Sequence, residues 1–185
     1  MALYSIYNDT CLGWSHSGPV NVESDGFVEL SDEEVTKIIE LIRKEGTSNI
    51  EELRLKELYP DIYKKLDNAF YEMAYNAEEM HWLWEGFYNR YYDYDPYELM
   101  AYCAENCGFN FDEEFYIKEV GFDEETLEEV KIDAFNEWLD DYVNGLDDKE
   151  AREFLKEHMD ADVNLDDIDY EVVIPEEIIE MAEKK

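Results

Sequence analysis

Three groups of residues in this chain have types and spacings that could do bond-making or ligand chemistry. Cys103 and Cys107 lie four apart, and Cys11 and His16 sit near the N-terminus. Thiolates with an imidazole are a ligand set for tetrahedral zinc. The spacing is not CxxC, however, and a thiol on an apolar helix face is commonly just a small buried hydrophobe. Asp160, Asp162, Asn164 and Glu171 fall at positions 1, 3, 5 and 12 of a calcium-loop register, where oxygen ligands wrap the ion. Leu165 occupies position 6, where the sharp turn wants glycine, and the residues from Glu171 to Pro175 read as a strand instead of an exiting helix. Gly13-Trp14-Ser15-His16-Ser17-Gly18 sets a serine between glycines but lacks the glycine two residues after Ser15 that a nucleophile elbow needs. No Walker or Rossmann glycine pattern is present, and carboxylates are too numerous for any pair to stand out as general acid and base. The expectation is a protein that is not an enzyme and carries no metal or cofactor.

The fourth group acts through charge. Within Phe122–Asn144, Leu127, Val130, Ala134, Trp138 and Tyr142 recur at spacings of three and four, and Ile132, Phe135, Leu139 and Val143 widen that apolar face. Trp138 is read as central to the seam. The opposite face carries Glu125, Glu128, Glu129, Asp133, Glu137, Asp140 and Asp141 against a single Lys131. One helix is therefore expected to anchor a core and to display a row of carboxylates.

The rest of the composition agrees. Fifty Asp and Glu face 15 Lys and Arg, a net charge of −35, while 45% of residues are hydrophobic and 15% aromatic. That is a folding composition, not a disordered acidic tail. Residues 66–148 alone hold 24 acids and 3 bases, a net of −21. Adaptation to high salt would avoid lysine and bulky hydrophobes, which are plentiful here. A field of this sign disfavours direct binding of nucleic acid or of an anionic membrane and favours a basic protein surface. Three cysteines, no secretory signal at Met1 and no long apolar run point to a reduced, cytoplasmic protein.

The elements that must position these groups predict a mostly helical α+β fold, one domain over 1–185 with a small N-terminal sheet. Ala2–Tyr7 reads as a strand, Asn8–Pro19 as a loop, and Val20–Val22 with Phe27–Leu30 as a hairpin turning at Asp25-Gly26. Ser31 and Glu34 form a capping box for a helix that Gly46 stops. A short helix follows Ser48 or Asn49, and a long one runs from Pro60 to Tyr88. Helices are also expected over Pro96–Cys107, from Asp147 or Asp148 to His158, and after Pro175. Phe109–Val120 stands open between strand and helix, and Asp169–Ile174 reads as a strand.

Between two of these helices lies a tyrosine-rich stretch, Tyr91, Tyr92, Asp93, Tyr94, Asp95 and Tyr97. Tyrosines interleaved with Asp make rigid amphipathic contact area of the kind found in protein interfaces. The other reading is a half-buried loop whose rings cover the core. Both stand.

In its size, acidity, abundance of aromatics and lack of catalytic motifs, the chain resembles small phage-encoded anti-defence proteins, the anti-CRISPR inhibitors of Cas9-type nucleases and the anti-restriction DNA mimics. The helical layout and the YYDYDPY segment look more like the Cas9-directed kind. The resemblance has no diagnostic motif, so no family residue is carried over. It implies stoichiometric binding of a nuclease effector in a bacterial cytoplasm, blocking DNA loading or cleavage, by a monomer or a homodimer. The competing class is a cytosolic adaptor, or a histone-chaperone-like module that binds basic proteins.

Overall fold

The computed structural model describes residues 1–15, 17–161 and 163–184. His16 and Asp162, named above as candidate ligands, lie outside them. The fold is α+β and mostly helical, with one N-terminal antiparallel hairpin, β1 (Ala2–Ser15) and β2 (Gly18–Leu30). The helices are α1 (Asp32–Glu45), α2 (Leu55–Leu58), α3 (Pro60–Tyr88), α4 (Pro96–Asn106), α5 (Glu113–Phe115), α6 (Glu124–Asn144), α7 (Asp148–His158) and α8 (Glu176–Glu183), with a π turn at Tyr116–Val120. The chain forms two compact units, Met1–His81 with Asn164–Lys185, and Trp82–Val163.

In the first unit the hairpin corrects two expectations. β1 does not end at Tyr7, and β2 is not broken at Asp25-Gly26. The strands pair from Ala2↔Leu30 to Ser15↔Gly18 with one register shift between Cys11 and Gly13. The polar residues that suggest a loop point inward. Asn8 Nδ2 donates to Thr10 Oγ1 at 2.6 Å, and Thr10 Oγ1 donates to the Asp169 carbonyl at 2.8 Å. Gly26 sits in mid-strand opposite Ile6, where a Cβ would meet the Met73 side chain at 3.4 Å. Here glycine makes room for a helix, not for a turn.

Helix α1 forms as its signals predict. Ser31 N–H donates to Glu34 Oε2 at 2.8 Å, Glu34 N–H donates back to Ser31 Oγ, and Gly46 closes the helix in the left-handed region (φ 70°). The short helix begins later than expected, at Leu55. Asn49 Oδ1 accepts from the N–H groups of Glu51 and Glu52, making a turn, and Arg54 takes a left-handed φ of 53°. The core gathers Ile6, Val28 and Leu30 from the hairpin, Ile38 from α1, Leu66 and Phe70 from α3, and Ile178 from α8. Arg43 donates to the carbonyls of Met181, Ala182 and Lys184 at 2.8–3.1 Å, a cation at the carbonyl end of α8.

The expected strand Asp169–Ile174 has no regular secondary structure and pairs with neither described strand. Its backbone bonds to side chains instead. Glu171 N–H donates to Asn8 Oδ1 at 3.3 Å and Asp169 N–H donates to Glu78 Oε1 at 3.4 Å, while Val172 and Ile174 are buried.

The second unit is built on Leu83 and Phe87 of α3, Leu99 and Cys103 of α4, Phe135, Leu139 and Val143 of α6, and Phe154 and Leu155 of α7. Of the two readings left open for Phe109–Val120 the short helix holds, over residues 113–120 as α5 and the π turn. Tyr116 stacks between Phe111 (centroids 4.8 Å apart) and Phe122 (5.7 Å), which pins one wide turn ahead of α6. Asp123 then caps α6 by accepting from Thr126 N–H at 2.9 Å.

Candidate functional site

At 3.6 residues per turn, residues four apart on a helix form rows that wind slowly about the axis. Helix α6 has four such rows with different fates. Phe135, Leu139 and Val143 are fully buried. The adjacent apolar row, which includes Val130, Ala134, Trp138 and Tyr142, is only half-buried. This corrects the placing of Trp138 at the centre of the seam. Its ring stacks on Tyr142 at 4.8 Å and meets Phe109 at 5.3 Å, so it covers the core that Phe135 fills. Apolar periodicity marks both rows alike, which is why spacing alone picks the wrong one.

The third row, Glu128, Asn136, Asp140 and Asn144, is bound by the segment from Tyr88 to Tyr97, which runs antiparallel to the helix. The Tyr88 hydroxyl donates to Asn144 Oδ1 at 2.6 Å. Arg90 donates to both oxygens of Asp140 at 2.7 and 2.9 Å. The Tyr94 hydroxyl donates to Asn136 Oδ1 at 3.5 Å. The Tyr97 hydroxyl bonds to the Glu128 carboxylate, which, with some desolvation, holds its pKa above the usual phenol range. The tyrosine segment and the acidic helix, read separately in the sequence, are one assembly.

The fourth row is Glu125, Glu129, Asp133, Glu137 and Asp141. All five are exposed, and among the described residues no base pairs with any of them. Successive members are about 6 Å apart along the axis, so the row presents five fixed negative charges at a spacing similar to that of phosphates along a nucleic-acid strand. Of the seven predicted carboxylates, these five share one open row. Glu128 and Asp140 belong to the neighbouring row and are engaged internally.

The tyrosine segment divides in the same way. Tyr92 lies across Gly86, its hydroxyl donating to the Leu83 carbonyl, and burial pushes its phenol up to about 12. Tyr94 is half-buried against Arg90 and Asp140, and Asp95 caps α4 by accepting from Tyr97 N–H at 2.8 Å. Tyr91, Asp93 and Tyr97 face outward, Tyr91 at 75% exposure. Sequence reasoning missed Arg90 and Tyr88, which clamp the segment to α6. The available signal was Arg90 itself, which has no other base between Lys65 and Lys118.

Among the described residues no group of three or more His, Cys, Asp or Glu side chains is placed to hold a metal ion. Cys103 on α4 and Cys107 at its C-cap are neighbours, but burial, with Cys107 beside it, pushes the Cys103 thiol up to about 12, away from the thiolate a metal binds. Cys11 is exposed on β1, and Glu171 bonds through its N–H to Asn8 Oδ1. No described helix is long and apolar enough to cross a membrane. Compared with family models, curated proteins and solved structures, the chain finds no match.

Proposed function

We propose that the protein is a non-enzymatic inhibitor that occupies a basic, DNA-binding surface of a nucleic-acid-targeting defence nuclease of the Cas9 type. The observation that carries this reading is the exposed row Glu125, Glu129, Asp133, Glu137 and Asp141 on one face of α6. DNA is held by such nucleases through Lys and Arg channels, with affinity that depends on the number of charges neutralised. A helix fixes its charges in advance, and docking onto a basic channel relieves their mutual repulsion. The row supplies steering, while the outward rings of Tyr91 and Tyr97 supply apolar contact beside it, since charge mainly sets association rate and buried aromatics carry hot-spot energy.

The test is cleavage by a Cas9-type nuclease with the protein titrated in, at two salt concentrations. Reversing Glu125, Glu129, Asp133 and Glu137 to lysine should slow association at least tenfold and flatten its salt dependence, with the helical circular dichroism intact. A folded variant that inhibits like the parent, with the same salt slope, would sink the proposal. The rival reading, a histone-chaperone-like module, shares the row but predicts equal affinity for core histones and no protection of target DNA from the nuclease.

A further inference from the structure

We propose that the first unit carries a second, independent binding site, a cleft along the free edge of β1 that takes an extended basic peptide as an added strand. β1 pairs with β2 on one side only. Ser5 N–H points away from β2, since it donates to Glu177 Oε2 at 3.0 Å. With the strand period of two, the N–H groups of Leu3, Tyr7 and Asp9 face the same way. The segment whose composition suits a third strand, Asp169–Ile174, does not fill that edge. It bonds to the Asn8 and Thr10 side chains and leaves a gap beside β1.

That gap is two adjoining clefts of about 600 and 370 Å³, which share Tyr7 and Val173 in their walls. The larger has apolar surface from Ile6, Phe70 and Ile174 and extends across the hairpin to Asp25, Gly26 and Phe27 of β2. The rim is acidic throughout, with Asp9 and Asp169 at one end and Glu176 and Glu180 at the other. Among the described residues no Lys or Arg lines either cleft. Glu177 already places a carboxylate oxygen where an incoming strand would place a carbonyl. These features select the occupant. Free strand edges bind extended chains through main-chain bonds, with alternate side chains filling pockets, and this rim asks for Lys or Arg between apolar residues. A second copy of so acidic a chain is disfavoured by charge. Protecting an exposed edge from aggregation calls for charge alone; it does not call for an apolar-walled cleft beside the edge.

The probe is a fluorescein-labelled octapeptide of alternating lysine and valine, followed by anisotropy. Saturable one-to-one binding is expected. Methylating alternate backbone nitrogens of the peptide should weaken it at least tenfold at unchanged charge, and Tyr7→Pro, which removes an edge N–H where Glu177 does not already occupy the edge as it does at Ser5, should do the same. Lysine reversal at Glu129 on α6 should change it less than twofold. Equal binding of the methylated peptide would overturn the proposal, because charge alone would then explain the affinity. Equal binding by a folded Tyr7→Pro protein, or loss on reversing Glu129, would overturn its location. If Tyr7→Pro fails to fold, the methylated peptide against the unaltered protein decides. None of these outcomes depends on nuclease inhibition.

Discussion

Arg90 holds Asp140 with a single guanidinium nitrogen, 2.7 Å from one carboxylate oxygen and 2.9 Å from the other. Both side chains are about two-fifths exposed, so solvent screens the pair and its worth is about 0.2–1 kcal/mol. Its larger effect is on the surface, because the one arginine between Lys65 and Lys118 neutralises a charge beside the open row instead of within it. Arg90→Gln should cost no more than about 1 kcal/mol in urea unfolding. On the proposed function it should also steepen the salt dependence of nuclease inhibition by adding a sixth unpaired carboxylate.

Phe135 and Trp138 separate the two apolar rows of α6. Phe135 is fully buried, whereas Trp138 is half-buried with its ring against Tyr142. Phe135→Ala should cost about 3–5 kcal/mol, and Trp138→Ala clearly less, as judged by denaturant midpoints. Equal costs would mean that Trp138 fills the core after all.

Gly86 and Tyr92 form a close contact in which a Cβ at 86 would fall 2.5 Å from the ring. Alanine would normally favour a helix interior, but here the ring must leave its place over the helix and its bond to Leu83. Gly86→Ala should therefore be destabilising by about 1–3 kcal/mol. The phenol gives a second readout. Its folded pKa of about 12 lies above the ordinary value of 10, so the proton is held more tightly in the folded state. The stability this gives is complete below pH 10 and is lost as pH rises toward 12. Ultraviolet titration should show a late-ionising class that Tyr92 shares with Tyr142, whose phenol is also pushed up to about 12, and Gly86→Ala should remove one member of it.

Glu78 offers the opposite use of a proton. It is 4% exposed, and burial, reinforced by nearby Asp169, raises its pKa above the usual glutamate value against the opposing hydrogen bond from Asp169 N–H. The folded state thus binds the proton more tightly, and stability is lost as pH rises from the unfolded pKa through the folded one. Glu78→Gln keeps an acceptor for Asp169 N–H and removes the charge. It should raise the melting temperature at pH 7, with the gain shrinking as pH approaches 4. A gain that persists undiminished at pH 4 would rule out this cause.

Helices announced by local chemistry were legible in the sequence. Ser31 with Glu34, Gly46, Pro60, Pro96 and Asp147 mark helix ends because capping is decided by residues within one turn of each other. The long hairpin was not, because Asn8, Thr10 and Gly26 take their meaning from Asp169 and Met73, far away in the chain. For the same reason Asp169–Ile174 has the composition of a strand without being one. At the candidate site the carboxylates were legible, but their division into an open row and an engaged one depends on Arg90 and Tyr97, which arrive from the preceding segment.

The winding of rows on α6 also sets which changes of length the chain tolerates. One residue inserted between Glu129 and Asp133 would rotate everything after it by about 100°. The positions meeting Arg90 and Tyr94, and those filling the core, would then be exchanged for neighbours of the wrong kind. Swaps of Asp for Glu along the open row would leave that phase untouched. The helix should therefore drift freely in which acid it carries while holding its residue count fixed, and a library of single insertions selected for folding should be empty between Glu129 and Val143 and populated again beyond Gly145.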